Sequence, residues 1–205
     1  MLSLVAGLAG GAIHALSGPD HLAAVAPLSL GNRRSGLLAG LDWGMGHGAG
    51  VILIGTIALL ARDTLSIHLV SGWSEFGVGF LLIALGAWAG WKGYQAWRSR
   101  GADEHDHQHH HRKRGATFGV GALHGSAGAS HLIGILPATG LSTLSAAGYL
   151  ASYFLGATLA MMVIGSVAGE LAQRGGWKLR PMLMLGAATV ACLVGAGWIV
   201  SSWPT

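Results

Sequence analysis

Two histidines and an aspartate lie within an otherwise apolar stretch near the start of the chain. The stretch G-A-I-H-A-L-S-G-P-D-H-L-A-A-V-A-P-L runs from Gly11 to Leu28 and contains His14, Asp20 and His21. A charged side chain at the centre of a bilayer costs about 2.5–3.5 kcal/mol on insertion scales, so ionisable residues at that depth usually line a site or a pathway. We therefore expect these three residues to form part of a functional site.

A second stretch repeats the first in altered form. It reads G-A-L-H-G-S-A-G-A-S-H-L-I-G-I-L-P-A, and its His124 and His131 follow His14 and His21 by 110 residues. The same offset relates further pairs, among them Pro27/Pro137, Gly46/Gly156, Gly55/Gly165 and Trp88/Trp198. A gapless match of this length indicates an internal repeat.

Imidazoles and a carboxylate form a nitrogen and oxygen ligand set. This set suits Ni²⁺, Co²⁺ or Zn²⁺ and suits Ca²⁺ or Mg²⁺ poorly. His47, in the sequence G-M-G-H-G, is a further candidate ligand or supporting group, although Ala157 occupies the corresponding position in the second repeat. The predicted metal ligands are His14, Asp20, His21, His47, His124 and His131.

The spacing of the first two histidines requires a break in the helix if both are to reach one ion. In an unbroken helix they would share a face but lie about 10 Å apart along the axis. Gly18–Pro19 lies between them, and proline kinks or breaks a helix. Two alternatives stay open: Asp20 caps the start of a helix, or the histidines hydrogen-bond between helices.

The composition indicates an integral membrane protein. Of the 205 residues, 52% are hydrophobic and only 10% are charged, with a mean hydropathy of +0.54, whereas soluble domains have roughly 25% charged residues. Apolar runs long enough to cross a bilayer occupy residues 2–30, 36–61, 70–97, 116–138, 143–172 and 181–203.

The predicted fold is an all-α polytopic membrane protein with six transmembrane helices arranged as two inverted three-helix repeats. Repeat A covers residues 1–97, a His-rich cytoplasmic loop covers 98–114, and repeat B covers 115–205. An odd number of crossings per repeat inverts the second repeat, and inverted repeats place substrate at their interface near the midplane.

The basic residues predict the orientation in the membrane. All 12 Lys and Arg residues except Arg62 lie in odd-numbered loops or at their helix ends, which places both termini outside the cell inner (plasma) membrane. The His-rich loop is expected to be disordered and either a metal buffer or sensor or simply a solvated charged loop.

Several chemistries have no support in the sequence. Cys192 is the only cysteine, which excludes an internal disulfide and a thiolate metal cage. No phosphate-binding G-x-x-x-x-G-K-[ST] loop occurs, so uphill transport would be secondary. No nucleophile with a base and no nucleic-acid module is recognisable, so we expect no enzyme activity, no permanently bound cofactor and no nucleic acid partner. The expected partners are a divalent metal ion and the lipid bilayer; a homo-oligomer is left open.

The motifs H-A-L-S-G-P-D-H-L-A-A-V, G-M-G-H-G and H-G-S-A-G-A-S-H-L resemble the nickel/cobalt transporter superfamily, specifically its six-helix, urease-accessory-like membrane branch. The resemblance covers nearly the whole chain outside the His-rich loop. It implies movement of Ni²⁺ or Co²⁺ across a bacterial inner membrane, with His14, Asp20 and His21 matching the first signature and His47 the Gly-His element. Five residues separate His14 from Asp20, whereas the eight-helix uptake branch has four.

Two other functions remain as alternatives. One is a secondary exporter of a small organic solute or anion, as in the wider lysine-exporter-like superfamily. The other is an accessory protein that delivers nickel without transporting it. The sequence leaves open the direction of transport, the coupling ion and the choice among the three metals.

Overall fold

The computed structural model describes residues 1–60, 67–99, 110–126, 134 and 137–202, which are helical apart from short turns and contain no strand. The main helices, numbered in chain order, are α1 (Leu2–Ser17), α2 (Pro19–Ser29), α3 (Arg33–Leu60), α4 (Ile67–Arg98), α5 (His110–Gly125), α6 (Thr143–Arg174) and α7 (Gly176–Ser201). The all-α prediction is therefore confirmed for the described residues.

The first apolar run is broken where its sequence predicts a break. Gly18 has an extended backbone conformation and separates α1 from α2, and Pro19 is the first residue of α2. The two helices meet at an angle of 76°. Proline is tolerated at the first helical position because a backbone N–H there would have no acceptor within the helix. The break therefore follows from local sequence.

Among the described residues, three helices are long and apolar enough to cross a membrane: Glu75–Arg98 within α4, Thr143–Arg174 (α6) and Lys178–Ser201 within α7. The bent pair of α1 and α2 is a fourth if it counts as one span. Large apolar side chains on these helices face outward, for example Trp91 at 61% and Leu193 at 68% exposure. Such surfaces suit lipid contact.

The predicted His-rich loop, residues 98–114, is described only at its two ends. Residues 100–109 lie outside the described part of the chain, while α5 already begins at His110. The first residues of α5 thus belong to the stretch that the sequence assigned to the loop.

Glycines bring the helices into backbone contact. A methyl group added at Gly11 of α1 would meet the carbonyl oxygen of Tyr153 in α6, and one at Gly121 of α5 would meet the carbonyl oxygen of Trp43 in α3. Helices α3 and α6 touch at Gly36 and Gly165, and helices α4 and α7 at Gly79 and Gly195. Small residues at such interfaces are typical of helix packing in membranes, and here they fix how deeply each helix approaches its neighbour.

One end of α2 is tied to the last helix. The guanidinium of Arg180 donates a hydrogen bond from Nε to the carbonyl oxygen of Leu30, at 3.0 Å. Leu30 follows the last residue of α2, where the carbonyl groups of a helix have no partner within the helix. The contact anchors the short helix that carries Asp20 and His21.

Candidate metal site

Four histidines from four helices meet in the interior. The ring of His21 in α2 lies at the centre, with its centroid 4.7 Å from that of His14 in α1 and 4.9 Å from those of His47 in α3 and His124 in α5. His47 and His124 are 5.8 Å apart, and His14 and His47 are 6.1 Å apart. We call these four imidazoles and Asp20 the histidine cluster.

The break between α1 and α2 produces this proximity. The rings of His14 and His21 are in edge-to-face contact, although seven residues of continuous helix would separate them by about 10 Å. The prediction that a break brings the two imidazoles together is confirmed.

Asp20 links α2 to α5, which lies about 100 residues away in the sequence. Its Oδ1 accepts a hydrogen bond from Nδ1 of His21 at 3.0 Å, and its Oδ2 accepts one from Nε2 of His124 at 3.1 Å. The carboxylate is buried, with 7% of the residue exposed. Burying a charge is costly unless it is hydrogen-bonded, so the two ring N–H groups stabilise Asp20 in this place.

The two structural alternatives for these residues fare differently. Asp20 stands in the first turn of α2, where a negative charge is favourable, but no side chain hydrogen-bonds at the cap of that helix. The bond from His124 to Asp20, by contrast, is a hydrogen bond between helices. This bond is compatible with metal binding, because histidine ligands commonly donate their other N–H to a carboxylate.

The ligand atoms form two groups of three within the described residues. His14, His21 and His47 form the first group, and Asp20, His21 and His124 form the second; within each group the ligand atoms lie within 4.8 Å of one another. Nitrogen ligands lie about 2.0–2.1 Å from a bound transition metal, so ligands of one ion are about 3–4 Å apart. Small side-chain movements would bring either group to that spacing.

Two aromatic residues that the sequence did not single out line the histidine cluster. Trp43, 1% exposed, stacks on His47 and contacts His21 and His124 with centroid distances of 5.4 and 5.3 Å. Tyr153 of α6 lies 5.8 Å from His14. In the sequence, Trp43 and Tyr153 are separated by the same 110 residues that separate His14 from His124.

His131 and three further acidic residues of the described part of the chain do not belong to the histidine cluster as the structure describes it. His131 lies outside the described residues, so its predicted role as a ligand stays a prediction. Glu75 accepts a hydrogen bond from Ser202, and Glu170 is bonded to Arg174. These two and the buried Asp42 belong to neither ligand group.

Comparisons with known proteins show two relatives of similar sequence. The chain is 32% identical over 209 aligned positions to "Chloroplast protein FOR GROWTH AND FERTILITY 2" of Arabidopsis thaliana, and 32% identical over 213 to "Chloroplast protein FOR GROWTH AND FERTILITY 1" of the same plant. The alignments cover 96% and 95% of this chain but only 56% and 58% of the relatives. The chain thus spans little more than half the length of these curated relatives.

No protein-family model matches the chain, and no solved structure matches it.

Proposed function

We propose that this chain is a secondary transporter that moves a divalent transition-metal ion, Ni²⁺ or Co²⁺, across a membrane, as the resemblance to the nickel/cobalt transporter superfamily implies. The observation that carries the proposal is the meeting of four imidazoles and one carboxylate from four helices in the interior. Imidazole nitrogen favours ions of this class, and Zn²⁺ remains compatible with the same ligands.

The proposed fold is six transmembrane helices in two inverted three-helix repeats. Two pairs of backbone contacts support it. Gly11 approaches Tyr153 as Gly121 approaches Trp43. Shifting each residue by 110 positions, up or down, converts one contact into the other.

The second pair obeys the same relation. Gly156 approaches the backbone of Leu8, and Gly46 approaches that of Phe118. Again the offset of 110 exchanges the two contacts. Contacts exchanged in this way are expected from repeats related by a pseudo-two-fold axis.

The position of the histidine cluster between the repeats supports transport. His14, Asp20, His21 and His47 belong to repeat A and His124 belongs to repeat B, so the bond between Asp20 and His124 crosses the repeat interface. In our mechanism a hydrated ion sheds water at this interface and is held by the imidazoles. It leaves when the repeats rock or the ligands become protonated, because metal binding requires unprotonated imidazole.

The proposed location is the inner (plasma) membrane, with both termini outside. Fractionation of cell membranes tests the location, and because the two relatives carry the word chloroplast in their names, organelle membranes are included among the fractions. Accessibility of tags at the two termini to an impermeant reagent tests the orientation.

The experiment that tests the function is metal flux in proteoliposomes. Protein is reconstituted with a metal-sensitive dye inside, and Ni²⁺, Co²⁺, Zn²⁺ or Mg²⁺ is added outside across a set pH gradient. We expect flux of the first two ions, loss of flux in His21→Ala, and unchanged flux in Thr189→Val. Thr189 is a suitable control because it is exposed on α7 and its hydroxyl donates a hydrogen bond to the carbonyl oxygen of Leu185 on the same helix.

The outcome separates the alternatives. Metal binding without flux in the wild-type protein would favour an accessory protein that delivers nickel. Flux of an organic solute or anion without metal flux would favour an exporter of the lysine-exporter-like superfamily. Retained metal flux in His21→Ala, with the protein folded, would remove the histidine cluster from the pathway.

A further inference from the structure

The two ligand groups of the histidine cluster have one residue in common. His21 belongs to the group with His14 and His47 and also to the group with Asp20 and His124. Across the described residues, no single group within the same distance combines all five side chains. One ion therefore fits either group without large movement, but not both together.

The spacing of the ligand atoms divides the five side chains into these two groups. Ligand atoms on opposite sides of a transition-metal ion are separated by about 4.2 Å, twice the metal–nitrogen distance. Within each group of three the ligand atoms lie within 4.8 Å of one another, whereas among the described residues the five side chains together form no such group. Only His21 has its centroid within 5 Å of the rings of all three other histidines.

The two groups also differ in exposure. His14 is half-buried, whereas every member of the second group is buried, with His21 at 2%, His124 at 1% and Asp20 at 7% exposure. An ion arriving from outside the cluster would meet the first group at His14. The second group lies deeper in the interior.

We propose that the transported ion is bound at two successive positions, with His21 as the ligand common to both. This inference rests on the proposed function. At the first position the ion is held by three imidazoles, His14, His21 and His47. At the second it is held by His21, His124 and the carboxylate of Asp20, so the ion exchanges two ligand residues and moves from one ring nitrogen of His21 to the other.

The chemistry of imidazole makes such a transfer feasible. The ring has two nitrogens, either of which can bind a metal. Nδ1 of His21 lies beside Asp20, so it serves the second position, and Nε2 serves the first. At the second position the ion takes the place of the two hydrogens that now lie between the rings and Asp20, and it is bound by Nδ1 of His21 and Nε2 of His124. Each ring then carries its proton on its other nitrogen.

The order of the two positions has an energetic consequence. A divalent ion in a medium of low dielectric constant is stabilised strongly by a nearby carboxylate. The deeper position provides this carboxylate, and the position that includes His14 provides neutral ligands only. The ion therefore gains a counter-charge as it loses contact with water.

The test uses three single variants that remove the positions selectively. His47→Ala disrupts the first position, His124→Ala the second and His21→Ala both. Ni²⁺ binding is measured by titration calorimetry on the full-length purified protein, and flux is measured in proteoliposomes. We expect His47→Ala and His124→Ala each to lower Ni²⁺ affinity by less than about tenfold. Such a loss is smaller than the roughly 10–100-fold that typically follows when a group supporting a metal ligand is removed. We expect His21→Ala to lose binding, and all three to lose flux.

A double variant and a spectrum complete the test. His47→Ala combined with His124→Ala disrupts both positions and is expected to bind as poorly as His21→Ala. The visible spectrum of bound Co²⁺ is expected to differ between the two single variants, because only one retains the carboxylate position. Glutamine replacements at His47 and His124 serve if an alanine variant fails to fold, as judged by size-exclusion chromatography.

Each outcome decides the question. If His47→Ala or His124→Ala abolishes binding as fully as His21→Ala, the cluster is a single site and the two-position inference is wrong, while the proposed transport stands. If the double variant binds tightly, the two groups are not the positions used. If the wild-type protein neither binds nor moves the metal, the proposed function itself is wrong.

Discussion

The indole ring of Trp43 lies flat against the imidazole of His47, with centroids 5.0 Å apart and planes inclined by only 7°. The two residues stand one turn apart on α3, so they face the same side of the helix. The indole also contacts His21 and His124. Trp43 therefore forms a wall that restricts the orientation of three imidazoles of the histidine cluster.

Replacement of Trp43 is expected to weaken metal binding. An aromatic contact of this kind is worth about 0.5–1.5 kcal/mol, so Trp43→Phe should lower Ni²⁺ affinity about two- to tenfold. Trp43→Ala should also lower the free energy of unfolding by about 3–5 kcal/mol, because it leaves a cavity. Calorimetry and denaturation in detergent measure the two effects. Trp91→Phe is the control, since Trp91 is 61% exposed; equal affinities in the two Phe variants would contradict the role given to Trp43.

The carboxylate of Asp20 is expected to control the histidines that it bonds. Asp20→Asn keeps the size of the side chain but removes its charge and one of its two acceptors. Loss of a carboxylate that supports a metal-binding histidine typically costs 10–100-fold in affinity, so we expect a loss of about that size for Ni²⁺. The melting temperature and elution volume report whether the variant folds. A folded Asp20→Asn protein with wild-type affinity and flux would show that the carboxylate serves neither ligand group.

The glycine contact between α3 and α5 is expected to hold the cluster together. Gly121→Ala would place a methyl group against the backbone of Trp43, whereas Gly119→Ala, on the same helix, would meet nothing within 4 Å. Excess volume in a packed interface costs about 1–3 kcal/mol. We expect Gly121→Ala to lower both stability and Ni²⁺ affinity, because α5 carries His124, and Gly119→Ala to change neither. Equal stability of the two variants, measured by denaturation, would argue against close packing at Gly121.

The bond from Arg180 to Leu30 is expected to stabilise the short helix α2. Arg180→Ala leaves the carbonyl group of Leu30 without this partner, and a hydrogen bond from a charged group is worth about 1.5–3 kcal/mol, less where water reaches it. We therefore expect Arg180→Ala to lower the free energy of unfolding by about 1 kcal/mol. Arg174→Ala breaks an exposed pair with Glu170 that is worth roughly 0.3–0.5 kcal/mol. Denaturation midpoints compare the two; an equal or larger loss in Arg174→Ala would contradict the proposed anchoring.

The sequence predicted the helices and the break near His21 because both have local causes. Apolar runs and the pair Gly18–Pro19 are properties of neighbouring residues. The helices nevertheless extend beyond the apolar runs: α3 begins at Arg33 rather than at residue 36, and α6 continues to Arg174 rather than to residue 172. Charged residues at the membrane edge continue a helix although they end an apolar run, so hydropathy alone misplaces the boundary.

The arrangement of the cluster could be predicted only in part. The residue types and the repeat singled out His14, Asp20, His21, His47 and His124, which the structure brings together. The sequence did not predict that one carboxylate bonds two of the rings, or that Trp43 covers them. Those relations depend on the register between helices, which is set by backbone contacts at glycines such as Gly121 and Gly125. Glycines are so frequent here, at 35 in the chain, that their pattern does not single out the contacts.

The bend of 76° at Gly18 means that the distance between His14 and His21 is determined by the backbone conformation rather than by the side-chain rotamers. Straightening α1 and α2 into one rod would carry His14 and His21 apart by nearly two helical turns without altering a single ligand. A modest change in this one angle would therefore change the distance between the two imidazoles. Three of the five side chains of the histidine cluster, those of His14, Asp20 and His21, lie in the eight residues that contain the bend, so any motion of the backbone there would move these three side chains directly.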